Sequence, residues 1–189
     1  MENPAPPTPL DLVTECFLIA TEKVEWMYFQ LKVAGTEATK YLERVYCYEL
    51  YHQMRIRWPN VPHKLTGEID KSGNPRIRHE ILNRSKPDFT IHVPGNMDDN
   101  LLVIEVKARD PVDGKVQRDL QKLSEFRRSA EYIAAYYLTY GFNEDEAVEF
   151  AANCSAIANA DNTIDLSKII LFNQSSAGKR AVPIPWQNR

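Results

Sequence analysis

Residues 101–108 read Leu-Leu-Val-Ile-Glu-Val-Lys-Ala, and this run constrains the fold more than any other stretch of the chain. Its β-branched content predicts a strand. Side chains alternate along a strand, so Glu105 and Lys107 share one face while Ile104, Val106 and Ala108 share the other. A second β-rich run, Asp88–Val93, lies just upstream, and Pro94-Gly95-Asn96 opens a turn between the two. The pair reads as a hairpin with a seven-residue loop. With Val93 paired near Asn100, Asp88 falls opposite Glu105. Asp88, Glu105 and Lys107 then cluster on one face at one end of the hairpin, and Thr90 and His92 continue that face away from it.

Two carboxylates on neighbouring strands repel each other unless positive charge lies between them. A divalent cation serves that purpose, and Mg²⁺ takes one or two carboxylates together with waters and substrate oxygens. The Val106 carbonyl is the expected third ligand, and Mn²⁺ would substitute for Mg²⁺. The lysine adds a charged donor aimed at the same pocket, where it can position a metal-bound water. A further carboxylate comes from the predicted helix Thr36–Arg57, which Trp58-Pro59 ends. Ala38, Leu42, Val45 and Tyr46 form its apolar arc, and Glu49 falls within about 20° of Leu42. A carboxylate inside an apolar arc is out of place as a solvated charge, so Glu49 joins the candidate site.

The rest of the chain supplies the surrounding elements. Leu10–Val33 has helical spacing and Gly35 is its expected stop. His63–Asp70 is β-compatible, and a turn signal follows at Lys71–Pro75. Arg76–Asn83 fits either a short helix or a strand. Lys115–Tyr140 is the longest helical pattern, with Val116, Leu120, Leu123, Phe126, Ala130, Ile133 and Tyr137 at steps of three and four. Asn143 is the expected N-cap of a helix over 143–160, with Glu144, Asp145 and Glu146 in its first turn. Leu166–Phe172 reads as a last strand. The order predicts an α/β chain in three parts: residues 1–35 as a disordered lead with an accessory helix, 36–175 as the main domain, and 176–189 as an irregular tail.

Charge is distributed unevenly. The 189 residues carry a net charge of −3 and a pI near 5.8. Residues 52–86 hold eight basic residues against three acidic ones, whereas residues 87–106 hold four acids and no base. An overall acidic chain is not expected to coat nucleic acid generally. A basic segment beside an acidic centre suits a phosphate-contacting rim instead, with Arg76, Arg78, Arg84 and Lys86 as its candidates. The cysteines Cys16, Cys47 and Cys154 form no CxxC pair, and no histidine sits in an HxxxH setting, so zinc is not expected. An odd number of widely spaced cysteines, the lack of a signal-like leader and the lack of a long apolar run lead us to expect a cytoplasmic chain with no membrane span.

Lys86-Pro87-Asp88, followed by Ile104-Glu105-Val106-Lys107, resembles the signature of the PD-(D/E)XK nuclease superfamily, and the resemblance spans roughly residues 36–172. It implies a restriction-endonuclease-like core in the order α-β-β-β-α-β, with a central mixed sheet flanked by helices. It further implies Mg²⁺ held by Asp88 and Glu105, Lys107 acting with the attacking water, and Glu49 as the glutamate of the first core helix. Some branches place a Gln or Lys on the helix after the ExK segment, where Gln117 and Gln121 are available. The expected function is Mg²⁺-dependent hydrolysis of phosphodiester bonds, in DNA first. The alternative is a nuclease-fold module that binds nucleic acid or a protein without cutting, as a homodimer or with another partner.

Overall fold

The computed structural model describes residues 5–35, 37–67, 86–96, 98–109 and 113–187. Five α-helices and eight strands are assigned among them. They run α1 (Pro9–Glu22), α2 (Trp26–Phe29), β1 (Leu31–Lys32), β2 (Thr39–Lys40), α3 (Glu43–Ile56) and β3 (Lys64–Gly67). Next come β4 (Phe89–His92), β5 (Asn100–Ala108), α4 (Asp113–Ser129), β6 (Ala134–Tyr140), α5 (Glu144–Ala160), β7 (Ile169–Gln174) and β8 (Val182–Ile184). Strands β3 to β8 form one six-stranded sheet in sequential order. The pairs β3–β4, β4–β5 and β7–β8 are antiparallel, whereas β5–β6 and β6–β7 are parallel. Each parallel pair needs a crossover, which α4 and α5 supply.

The expected hairpin forms in the expected register. Phe89 faces Ile104, Thr90 faces Val103 and Ile91 faces Leu102, and a bulge follows at His92. Continuing this register one step places Asp88 opposite Glu105. Helices cover both faces of the sheet. On one face, Phe17 of α1 and Tyr46, Leu50 and Met54 of α3 pack on Leu102, Ile104, Val106, Tyr136, Leu138 and Phe172. On the other, Leu120, Leu123 and Phe126 of α4 and Phe150 and Cys154 of α5 pack on Val103, Tyr137 and Leu171. Strand parity therefore turns Glu105 and Lys107 toward α4.

Several predicted boundaries move. The helical pattern 115–140 divides into α4 and the central strand β6. Glu131, at φ 54°, turns the chain between them. Ile133, a core position on the helical reading, is 57% exposed. All seven residues of β6 are buried between parallel neighbours, and a strand buried on both faces carries an unbroken apolar run that periodicity cannot distinguish from a helix. The pattern 10–33 divides at Lys23 into α1 and α2. The helix predicted from Thr36 begins only at Glu43, because Thr39–Lys40 pairs with Leu31–Lys32 as a small antiparallel ribbon. Thr36 itself lies outside the described residues.

At the carboxyl end the strand expected over 166–172 starts at Ile169, after one 3₁₀ turn at Leu166–Lys168, and runs to Gln174. The tail is not irregular throughout, since Val182–Ile184 pairs with Leu171–Asn173 at the sheet edge. Asn143 does cap α5, in a reciprocal capping box with Glu146. No helix among the described residues is long and apolar enough to cross a membrane.

Candidate active site

Asp88 stands one residue before β4, and its Oδ2 accepts a 2.7 Å hydrogen bond from the Val106 backbone N–H. The carboxylate thereby takes the ladder position that the next β4 carbonyl would occupy. The N–H and C=O of one strand residue point to the same lateral side, so the Val106 carbonyl also faces the Asp88 side of β5. Glu105, buried toward α4, accepts at 2.7 Å from Lys122 Nζ. Lys107 Nζ lies 2.8 Å from Asp119 Oδ2 and 3.3 Å from Glu43 Oε2. Lys122 is also 3.5 Å from Asp119 Oδ1, and Glu43 Oε2 accepts from the Ala108 N–H at 3.3 Å. The carboxyl end of β5 thus joins the start of α3 to the middle of α4 through a chain of charges.

Among the described residues, four carboxyl groups stand here against two ammonium groups. Burial pushes the Asp88 carboxyl up to about 6, and Glu43 adds to this, while the Val106 N–H, Lys122 and Lys107 pull it back. Burial and the neighbouring Asp88 hold the Glu105 carboxyl well above its usual range, despite Lys122. Burial acts to lower both lysines, but Asp119 and Glu43 at Lys107, and Glu105 and Asp119 at Lys122, more than offset it. Both lysines are therefore charged donors at neutral pH. Two carboxyls that resist ionisation side by side mark a place where added positive charge would be favourable.

The sequence-predicted residues divide. Glu105 and Lys107 share the α4 face of β5, the Asp88 carboxylate sits beside Val106 at the strand edge, and Asp88 and Glu105 interact electrostatically. Glu49 is not brought to Lys107. It accepts from Gln53 Nε2 on its own helix, and Glu43 is the α3 residue that reaches the cluster. The two are six residues apart, about 9 Å along the axis and roughly 120° around it. Moreover, α3 lies on the sheet face opposite Glu105, so only its first turn reaches round the end of β5. Gln117 and Gln121 turn away from the site and donate to Asp161. Lys86 is exposed beside Asp88. Arg76, Arg78 and Arg84 lie outside the described residues.

Sequence reasoning missed Glu43, Asp119 and Lys122. The signal for Asp119 was present. On α4, Val116, Leu120, Leu123 and Phe126 define an apolar arc, and Asp119 falls between Leu123 and Phe126 at about 100° per residue. The test that selected Glu49 selects Asp119 equally.

Among the described residues, no group of three or more His, Cys, Asp or Glu side chains is drawn together as a metal cage. The donor chemistry of Asp88, Glu105 and the Val106 carbonyl nevertheless suits a hard cation, since Mg²⁺ needs only one or two carboxylates from its protein. Comparisons with protein-family models, with curated proteins and with solved structures found no match to this chain.

Proposed function

We propose that the chain is a metal-dependent phosphodiesterase of the nuclease type, acting on nucleic acid, with DNA as the first substrate to test. The observation that carries this reading is the Asp88 carboxylate bonded to the Val106 N–H, between Glu105 and Lys107, at the carboxyl end of β5. The signature resemblance supports it, as does the run α3-β3-β4-β5-α4-β6, which follows the order that resemblance implies. Asp88 and Glu105, with the Val106 carbonyl, would hold Mg²⁺ or Mn²⁺, which when bound supplies Lewis acidity toward a phosphate oxygen.

The roles of the protein groups follow from their charge states. Lys107 is held protonated by Asp119 and Glu43, so it acts as a donor and an electrostatic stabiliser rather than as a base. It orients an attacking water through that donor and offsets negative charge that develops on the phosphoryl oxygens. Lys122 holds the Glu105 carboxylate in one orientation. Asp119 spaces the two lysines and fixes both. Lys86, with Arg76, Arg78 and Arg84, would form the phosphate-contacting rim.

The test is nicking of supercoiled plasmid with and without Mg²⁺, for wild type and Lys107→Ala. Wild type is expected to nick only with the metal. Lys107→Ala is expected to lose cleavage while keeping DNA affinity, because the lost interaction belongs to the transition state. No metal-dependent cleavage of duplex, branched or single-stranded substrates by the wild type would overturn the enzymatic reading. Binding without cleavage would leave the binding-module alternative in its place.

A further inference from the structure

Beside Asp88, a cleft of about 530 Å³ opens between α3 and the β3–β4 edge. One wall is a single helical face of α3 carrying Glu43, Arg44, Tyr48 and Tyr51, and the other carries Asp88 and Phe89. We propose that this cleft receives an unpaired nucleobase, so that the substrate is a single-stranded polynucleotide or a single-stranded segment within one. The proposal rests on the nuclease reading for its substrate class and names the strand form that reading leaves open.

Four observations lead to it. First, the lining is aromatic where a planar ligand would lie. The Tyr51 ring stacks on Phe89 at 6.3 Å between centroids and 20° between planes, which fixes it as a platform. Tyr48, three residues before it and therefore a neighbour on the same helical face, is 65% exposed, with its ring open to a ligand. Second, the described lining residues carry one basic side chain, Arg44, and two acidic ones, Glu43 and Asp88, a balance that suits a neutral base better than a run of phosphates. Third, the volume lies within the range of small-ligand sites. Fourth, Asp88 belongs to both the cleft and the charge cluster, so a base in the cleft leaves its own phosphodiester beside the candidate centre. A base within a duplex is stacked and paired and presents no face to such a slot, whereas base–aromatic stacking tolerates any base of a single strand.

The test is fluorescence anisotropy in EDTA with a labelled 15-nucleotide single strand and its duplex, in DNA and RNA forms. It compares wild type, Tyr48→Ala and Tyr48→Phe, and cleavage of the same single strands and duplexes with Mg²⁺ is run alongside. Wild type is expected to prefer a single strand. Tyr48→Ala is expected to weaken that binding about tenfold or more, the scale of one lost base–aromatic stack, while Tyr48→Phe keeps it and duplex affinity does not change. Tyr48 is exposed, so its truncation leaves the core intact. Unchanged single-strand affinity in Tyr48→Ala, an equal loss on the duplex, a preference for duplex, or no oligonucleotide binding overturns the proposal. The two readings fail separately. A wild type that cuts none of these substrates, single-stranded or duplex, but shows the Tyr48 dependence refutes the nuclease and keeps the cleft. A wild type that cuts, with Tyr48→Ala binding unchanged, does the reverse.

Discussion

Asp88 is held against its preferred charge, and that makes a sharp stability prediction for Asp88→Asn. Its carboxyl titrates near 6 in the folded chain, pushed up by burial, against about 4 for an ordinary aspartate. A raised acid favours the protonated form of the folded state. Its contribution to stability is fully present below about pH 4 and is lost as the pH rises through about 6. At 1.36 kcal/mol per pH unit the full loss is about 3 kcal/mol. Asp88 is only half-buried, so solvent screening reduces the expected value to about 1–3 kcal/mol. Asparagine keeps an oxygen for the Val106 N–H but brings no charge.

Asp88→Asn should therefore match wild type in stability near pH 4 and exceed it at pH 8 by that amount. For a chain of this size this corresponds to about 3–10 °C in Tm. The assay is thermal unfolding of both proteins in EDTA from pH 4 to pH 8, read as the difference between them. Adding Mg²⁺ at pH 8 should narrow the gap, because a cation between Asp88 and Glu105 stabilises only the wild-type pair fully. A difference independent of pH, or an Asp88→Asn protein less stable at pH 8, would refute the reasoning.

Two further substitutions test separate parts of the account. Glu43→Gln should reduce metal-dependent cleavage at least about tenfold more than Glu49→Gln in the nicking assay, since loss of a charged hydrogen bond to Lys107 is worth about 1.5–3 kcal/mol; equal effects would return the helix role to Glu49. Gly141→Ala should cost about 2 kcal/mol or more in urea unfolding, because Gly141 has φ +89° and an added Cβ would come within 2.6 Å of the Tyr41 ring.

What the sequence revealed of the site depends on how local each relation is. Strand parity and hairpin register are properties of a short segment, so Asp88, Glu105 and Lys107 could be grouped without knowing the fold. The same parity could not say which sheet face they occupy. That depends on β6, and β6 was hidden because its residues Ala134–Tyr140 continue the three-and-four spacing of α4 by coincidence. With β6 read as helix, the crossover from β5 through α4 to a parallel strand vanishes, and with it the reason for α4 to lie over Glu105. The apolar arc of α4 could mark Asp119 as a buried carboxylate, but only that crossover brings Asp119 and Lys122 to Glu105 and Lys107.

Glu49 shows the complementary limit. Its position inside an apolar arc correctly marked it as buried, and it is only 8% exposed. Burial did not make it part of the site, since Gln53 on the next turn satisfies it. Glu43 lies about 100° from Leu42 and so outside the apolar arc, and its contact with Lys107 comes from where the helix starts relative to β5. Charged side chains on a central strand also carry a cost that packing alone does not explain. Replacing a buried ion pair with apolar residues is often neutral or stabilising. From Leu101 to Val106, Glu105 is the only polar residue of β5. Their charges lie at the carboxyl end of the strand, where β5 has an antiparallel neighbour on one side and a parallel one on the other, and where α3 and α4 approach from opposite faces. In open α/β sheets the carboxyl ends of the strands are where ligands bind. The costly charges lie at the carboxyl end of β5 between α3 and α4, which is the physical reason the proposal places the chemistry there.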